Sequence, residues 1–90
     1  MIWIIGGTSE ARELIDKIRD LDDYIVTIAT NDGKEFLQGT KFHVGRMDYN
    51  NMLDFITQNN VNMIVDLSHP YAKKVTQNAK KAANEGNKIH

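Results

Sequence analysis

Two short polar clusters, each directly after an apolar run, contain the residue types in this sequence that could do chemistry. Gly-Gly-Thr-Ser at residues 6–9 follows one run, and Ser-His-Pro-Tyr at residues 68–71 follows another. Paired glycines permit a tight turn and a close approach of a ligand to the backbone. A helix that opens at Thr8 directs its free N–H groups and the positive end of its dipole at that ligand. The first cluster therefore predicts a phosphate-binding turn.

The second cluster supplies the candidates for acid–base chemistry, His69 and Tyr71. A histidine can donate or accept a proton near neutral pH. Capping of a helix by Ser68 or His69, with Tyr71 on the surface, accounts for the same residues, and spacing alone favours it. A Ser-His-Asp triad with Asp66 is disfavoured, because these residues lie too close together along one strand to converge. The three histidines show no ligand spacing, so no metal site is predicted.

The end of the second apolar run bears on the choice between dinucleotides. An acid at the tip of that strand would bind the ribose of NAD, but the run ends in Thr30 and Asn31. Asp32 could take that role or form an ordinary Asp-Gly turn. Thr30, Asn31 and Lys34 could instead surround a 2′-phosphate, which favours NADPH, with NADH as the alternative. Arg46, after the third run, could reach the adenine or its ribose phosphate, or be a solvated loop arginine.

Strands and helices alternate along the chain in the hydrophobic pattern. Helical spacing predicts helices over residues 8–21, over residues 49–59 behind an Asp48 cap, and from Pro70 to about Asn84. The predicted apolar faces include Leu21 in the first helix and Thr76 in the last. Short apolar or β-branched runs predict strands at residues 1–5, 24–30, 41–44 and 61–67. Residues 33–40 are left open between a short helix and a loop, and residues 88–90 have the composition of the start of a fifth strand.

This alternation predicts an α/β fold, a Rossmann-like parallel sheet with helices on both faces. The simplest strand order is 3-2-1-4, with a fifth strand, once completed, beside strand 4. Ligands bind at the carboxyl ends of such strands where the order reverses, here between strands 1 and 4. We therefore expect the two polar clusters to border one crevice.

Composition limits the class of protein. The 90 residues, 41% hydrophobic and 26% charged, fit a single globular domain, residues 1–90, which we interpret as dinucleotide-binding. A net charge of −1 disfavours a nucleic-acid partner. The apolar start is too short for a membrane span and lacks the features of a signal peptide, so we expect no membrane association and a cytoplasmic location. The absence of cysteine excludes disulfides and thiolate chemistry.

Together, the clusters resemble the precorrin-6A reductases of cobalamin biosynthesis, including their cobalt-precorrin-6A counterparts. The matching pieces are Ile-Ile-Gly-Gly-Thr at residues 4–8 with Glu10 and Ala11, Gly-Arg-Met-Asp at residues 45–48, and Asp-Leu-Ser-His-Pro-Tyr-Ala at residues 66–72 with Asn78 and Ala79. The last of these is distinctive, whereas the Gly-Gly-Thr turn is not. Members of the family are longer and have a second α/β domain. The resemblance therefore implies that this chain is the amino-terminal domain of a two-domain enzyme.

The resemblance implies hydride transfer from a nicotinamide cofactor to a double bond of a carboxylate-rich macrocycle. The domain alone would be inactive, because the missing carboxy-terminal domain of the same chain helps to form the active site. The cofactor-binding residues it implies are Gly6, Gly7, Thr8 and Ser9 at the diphosphate, Thr30 and Asn31 at the adenosine half, and Ser68 to Tyr71 beside the nicotinamide and substrate. The assignment of His69 as the proton donor goes beyond the resemblance.

Two other functions stay open. Many short-chain dehydrogenases and epimerases also begin with an apolar strand and Gly-Gly-Thr, but their Tyr-x-x-x-Lys pair is absent here, since Tyr71 and Lys74 are three residues apart. The other alternative is a non-catalytic α/β module that binds a nucleotide or a protein partner.

Overall fold

The architecture, described by a computed structural model for residues 1–69 and 72–85, is one parallel sheet with helices on both faces. The strands are β1 (Ile2–Ile5), β2 (Tyr24–Ile28), β3 (Phe42–Val44) and β4 (Met63–Asp66), and the helices are α1 (Ser9–Ile18), α2 (Tyr49–Gln58) and α3 (Lys73–Glu85). The order β3-β2-β1-β4, with every pairing parallel, confirms the predicted fold class and strand order. The segment left open in the sequence contains a 3-10 helix, Lys34–Leu37. The predicted fifth strand at residues 88–90 lies outside the described residues.

The sheet is buried on both faces because its strands are apolar at successive positions, which point to opposite sides. The face covered by α1 buries one cluster: Ile4, Ile15, Tyr24, Val26, Ile28 and Leu37. The face covered by α2 and α3 buries a larger one: Trp3, Ile5, Ile25, Met52, Phe55, Ile56, Val61, Ile64, Ala79, Ala82 and Ala83. No helix in the described part of the chain is long and apolar enough to cross a membrane.

The first helix is shorter than its hydrophobic pattern predicts. Thr8 caps it, and its Oγ1 accepts a hydrogen bond from the Ala11 N–H at 3.3 Å. The helix ends at Ile18, whose carbonyl accepts a hydrogen bond from the Leu21 N–H as the chain turns toward β2. Leu21 is consequently 58% exposed, and its prediction as part of the apolar face is wrong.

The second helix begins where its cap predicts. Asp48 accepts a hydrogen bond from the Asn51 N–H at 2.7 Å, and the Asn51 side chain accepts one from the Asp48 N–H at 3.3 Å, which forms a capping box. Met52, Phe55 and Ile56 are buried against the sheet. A local signal of cap and periodicity therefore sufficed to predict this helix.

The third helix begins later than predicted, at Lys73 instead of residue 70. Before the helix begins, the Ala72 N–H donates a hydrogen bond to the His69 carbonyl at 2.8 Å. Pro70 itself lies outside the described residues. Thr76, predicted to face inward, is exposed. The fully buried positions of the helix are small residues, which permit close packing on the sheet: Ala79, Ala82 and Ala83.

A buried hydrogen bond joins the two central strands beneath α2 and α3. Trp3 Nε1 donates to Thr27 Oγ1 at 2.8 Å, and the two residues are 1% and 5% exposed. The Trp3 ring also packs against Phe55, with ring centroids 4.7 Å apart. Because water has no access to this indole N–H, loss of its acceptor would leave a buried donor unpaired.

We predict that Thr27→Val lowers the free energy of unfolding by about 1–3 kcal/mol, since the side chain keeps its shape while the indole N–H loses its partner. Urea unfolding measures the effect. The same substitution in a Trp3→Phe background, which has no donor to satisfy, should cost much less. Equal costs in the two backgrounds would contradict the assignment of the loss to this hydrogen bond.

Candidate functional site

A cavity of about 330 Å³, which we call the strand-end cavity, opens at the carboxyl ends of the strands. Trp3 and Met52 contribute to its wall from the face covered by α2 and α3. Residues that follow each strand also line it: Gly6 and Gly7 after β1, Thr30 and Asp32 after β2, Gly45 and Arg46 after β3, and Ser68 and His69 after β4. The structure therefore brings Gly6 and Gly7 of the first polar cluster and Ser68 and His69 of the second to one cavity.

A second cavity of about 290 Å³, the α1 cavity, lies on the other face of the sheet between α1 and the 3-10 helix. Thr8 and Ser9 line this cavity and are absent from the wall of the strand-end cavity. Asn31 is exposed and lines neither. The two cavities share four residues: Gly6, Gly7, Ile28 and Asp32. The glycine turn is therefore the border between them.

The two glycines of the turn have different structural roles. The Gly6 N–H donates to the Thr27 carbonyl at 2.8 Å, and a Cβ at Gly6 would lie 3.3 Å from Ile28 Cγ2, so a side chain here would be tightly packed against β2. Gly7 has φ +119°, a conformation that side chains with a Cβ rarely adopt, and a Cβ there would meet nothing within 4 Å. The backbone at Gly7 is consequently open to a ligand.

The amino-terminal end of α1 has amides available beside Gly7. Of the first amides in the helix, that of Ala11 donates to Thr8 Oγ1 and that of Arg12 donates to the Thr8 carbonyl. Within the described residues, those of Ser9 and Glu10 have no protein acceptor. Free amides at the positive end of a helix dipole suit an anion. The turn could therefore hold an anionic group such as a phosphate.

A side-chain bridge holds the two clusters together. Thr8 Oγ1 donates to the Leu67 carbonyl at 2.6 Å while it caps α1, so a single hydroxyl ties the glycine turn to the end of β4. The sequence contains no local signal for this bond, because the partners are 59 residues apart. Its consequence is that the Thr8 hydroxyl is already engaged, and a ligand would meet the backbone of this residue.

The loop after β4 is also ordered by a carboxylate. Asp66 Oδ1 accepts hydrogen bonds from the Ser68 N–H at 3.0 Å and from Ser68 Oγ at 2.6 Å. Ser68 is half-buried, and His69 next to it is exposed at the cavity. This Asx turn fixes the backbone from which His69 extends. Tyr71, the other predicted catalytic residue, lies outside the described residues.

The residues predicted to bind the adenosine half lie in two different loops, one after β2 and one after β3. Thr30 accepts the Asp32 N–H at its Oγ1 at 3.4 Å in the loop after β2. Arg46 is exposed after β3, next to Gly45, whose N–H donates to the Ile28 carbonyl at 2.9 Å. The described residues contain no cluster of three or more histidine or acidic side chains that could hold a metal ion.

Comparison with known proteins gives a consistent assignment. The family model described as precorrin-6x reductase CbiJ/CobK matches residues 1–89. The cobalt-precorrin-6A reductase of Priestia megaterium is 38% identical over 88 residues, which cover 94% of this chain and 34% of that protein. The same enzyme of Salmonella typhimurium is 36% identical over 87 residues, covering 90% and 32%. The chain therefore spans about a third of the length of these curated relatives.

Solved structures share the fold. A precorrin-6A reductase, CobK, superposes with a TM-score of 0.87 at 23% identity, over 98% of this chain and 36% of its own. The saccharopine dehydrogenase of Saccharomyces cerevisiae superposes with a TM-score of 0.71 at 19% identity, over 97% and 20%. At these sequence identities the superpositions show a shared fold and nothing further.

The open backbone at Gly7 gives a testable prediction. Gly7→Ala should lower stability by about 1–3 kcal/mol, because of its positive φ, and should also abolish dinucleotide binding, because the added methyl group enters the space above the turn. Gly39→Ala is the matched control, since Gly39 has φ +81°, likewise meets nothing within 4 Å, and lines neither cavity. Calorimetric titration and urea unfolding of both variants measure the two effects. Retention of binding in Gly7→Ala would contradict the role of the turn.

Proposed function

This chain belongs to the precorrin-6x reductase family CbiJ/CobK, and we propose that it is the dinucleotide-binding domain of a precorrin-6A or cobalt-precorrin-6A reductase in cobalamin biosynthesis. The observation that carries the proposal is the strand-end cavity, where Gly6 and Gly7 after β1 share a wall with Ser68 and His69 after β4. The curated relatives described above bear the reductase name. Because they are about three times as long, at 34% coverage, the activity is proposed for this chain together with the rest of such a protein.

The proposed cofactor is a nicotinamide dinucleotide whose diphosphate lies over the glycine turn. Gly7 gives it access to the backbone, and the amides of Ser9 and Glu10 face it with the positive end of the α1 dipole. Thr8 would contribute through its backbone and through its bond to Leu67, which holds the turn against the loop after β4. These features support a dinucleotide more strongly than a mononucleotide, because the crevice continues on both sides of the turn.

The two halves of the cofactor would lie at opposite ends of the strand-end cavity. Thr30 and Arg46, which line this cavity after β2 and β3, would hold the adenosine half, with the exposed Asn31 next to Thr30 in the chain. Ser68 and His69 would border the nicotinamide, at the end of β4. The β2 and β4 ends are separated by β1, that is by two strand spacings or about 10 Å. A dinucleotide that crosses β1 at its diphosphate would reach both.

The chemistry proposed is saturation of a double bond in a carboxylate-rich macrocycle. When bound, the reduced nicotinamide supplies the hydride. We assign to His69, whose side chain is exposed and lines the cavity, the donation of the proton that must reach the neighbouring carbon, and we propose Tyr71 as a second catalytic residue. Asp66 would act through the loop, by holding Ser68 at two bonds and so fixing the backbone beside His69.

The size of the strand-end cavity indicates that another part of the enzyme completes the substrate site. At about 330 Å³ it lies at the lower end of the roughly 300–1,000 Å³ range of small-molecule pockets, too small for a nicotinamide and a macrocycle together. We propose that the carboxy-terminal domain of such an enzyme encloses the substrate, and that this chain alone binds cofactor without turnover.

Fluorescence of Trp3 provides the test of the cofactor proposal. Trp3 is the single tryptophan of the chain and lines the strand-end cavity. Titration with NADPH or NADH should quench its emission and sensitise that of the dihydronicotinamide, whereas AMP should bind without sensitised emission. In Trp3→Phe the sensitised emission should disappear while calorimetric binding persists. No detectable binding of NADPH, NADH or AMP would overturn the proposal.

A second experiment tests His69 as the proton donor. In an enzyme of the relatives' full length that carries this sequence, His69→Ala should slow turnover by about 10²- to 10⁴-fold with cofactor affinity nearly unchanged, because a proton transfer is removed and a binding contact is not. Single-turnover kinetics and calorimetry separate the two quantities. His43→Ala is the control, since His43 is exposed on β3 and lines neither cavity. Unchanged turnover in His69→Ala would remove it as the donor.

A further inference from the structure

The third helix carries a concentration of positive charge that the proposed function does not use. Its lysines are Lys73, Lys74, Lys80 and Lys81, against the single acidic residue Glu85. All four lysines are exposed. The whole chain has 11 lysines and arginines and 12 aspartates and glutamates, so the chain outside α3 is acidic on balance. The positive charge of a nearly neutral chain is therefore gathered on one helix.

Two of these lysines lie at the less favourable end of the helix for a cation. Lys73 and Lys74 occupy the first turn of α3, where the helix dipole favours acidic side chains over basic ones. Within the described residues, neither of them forms an ion pair. Lys81 differs, since its Nζ lies 4.7 Å from the centroid of the Tyr49 ring and so joins α3 to α2. The stability of α3 therefore does not account for the charge of Lys73 and Lys74.

The same two lysines flank the wall of the strand-end cavity. They lie in the chain between Ala72 and Val75, and both of those residues line the cavity. Because α3 follows β4, its first turn stands at the edge of the sheet where His69 also lines the cavity. A lysine ammonium is a compact charge on a flexible four-carbon stem, so it reaches beyond its own face of the helix. Lys73 and Lys74 therefore place two positive charges beside the site of the proposed reduction.

A macrocycle reduced at this edge must lie outside the strand-end cavity. At about 330 Å³ the cavity is too small for a nicotinamide and a macrocycle together, so the macrocycle would lie over its mouth. Carboxylates around the rim of the macrocycle would then meet the ammonium groups at the start of α3, in charge-assisted hydrogen bonds.

The acidic residues at this edge leave that approach open. Asp32, which lines the cavity, follows β2, and β1 lies between β2 and β4. Asp66, at the end of β4, accepts two hydrogen bonds from Ser68 at its Oδ1. The β4 side of the mouth is therefore the side that suits a carboxylate.

We infer that Lys73 and Lys74 bind carboxylates at the rim of the macrocycle and hold that rim against α3, with the ring over the mouth of the strand-end cavity. The inference rests on the proposed function, and it assigns residues of this chain to the substrate side of the same site. Lys80, about two helical turns further along α3, acts at longer range by attracting the polyanion toward this edge.

Steady-state kinetics test the inference in an enzyme of the relatives' full length that carries this sequence. Lys73→Gln combined with Lys74→Gln should lower kcat/KM for precorrin-6A or cobalt-precorrin-6A by about 10- to 100-fold, the size of one lost charge-assisted hydrogen bond. The loss should lie in KM, because a binding contact is removed while the hydride and proton donors stay. Lys73→Arg combined with Lys74→Arg should retain most of kcat/KM, since both charges are kept.

Three further measurements separate substrate binding from a structural role. The affinity for NADPH and the free energy of unfolding should not fall in the double glutamine variant, because lysines at the start of a helix do not stabilise it. Added salt should lower kcat/KM of the unaltered enzyme more than that of the variant, which lacks the charges to be screened. Lys80→Gln should lower kcat/KM by less than about fivefold, since this lysine makes no contact with the substrate.

Lys17→Gln combined with Lys41→Gln is the matched control, because it removes two exposed lysine charges that line neither cavity. A fall in kcat/KM for the Lys73 and Lys74 variant that is no larger than in this control overturns the inference and leaves the proposed function standing. A loss in kcat alone, or a loss of NADPH affinity in its place, overturns it in the same way. Failure of the unaltered enzyme to reduce either macrocycle overturns the proposed function as well.

Discussion

The level pairing of β1 with both of its neighbours is the constraint on which the rest of this structure depends. Ile5 pairs with Thr27 on one side and with Asp66 on the other, so β1, β2 and β4 end close to the same height. Pairing continues one residue beyond β1 and β4, through the Gly6 N–H to the Thr27 carbonyl and the Leu67 N–H to the Ile5 carbonyl. The loops that line the crevice therefore leave the sheet from one edge, already anchored.

Two side-chain bonds reinforce that pairing at different depths. The Trp3–Thr27 bond lies in the core and satisfies an indole N–H that no water can reach. The bond from Thr8 to the Leu67 carbonyl lies at the edge, where it also completes the cap of α1. A shift of either strand by one residue would break these bonds and turn apolar side chains to the wrong face. The register of the strands therefore also determines the geometry of the candidate site.

The glycine turn is subject to two constraints, one from its own backbone conformation and one from packing against a neighbouring strand. Glycine is favoured at residue 7 by the positive φ of its backbone, and at residue 6 by the side chain of Ile28 on β2, which a Cβ would approach to 3.3 Å. The two cavities on opposite faces of the sheet meet at this turn, where neither Gly6 nor Gly7 carries a side chain. A ligand at this turn would therefore lie beside both cavities.

The sequence by itself determined the elements, because caps, turns and hydrophobic periodicity act over a few neighbouring residues. Alternation of apolar runs and helical patterns predicted a parallel sheet in the order 3-2-1-4, which is confirmed. Asp48 predicted the start of α2, and the paired glycines predicted the turn. The two polar clusters could be assigned to one crevice because parallel strands end at a common edge.

Only the tertiary structure decided where the elements end and which side chains have partners. Leu21 and Thr76 both continue a helical hydrophobic pattern. The first helix nevertheless ends before Leu21, and Thr76 is exposed on the third helix. Burial depends on what packs against a helix and not on the period of its sequence. In the sequence, Arg12 and Arg19 were both charged residues of one helix. Contacts 17 and 19 residues away satisfy Arg19, while Arg12 stacks on a ring at the wall of a cavity. Such differences arise from packing between distant segments, which no local pattern encodes.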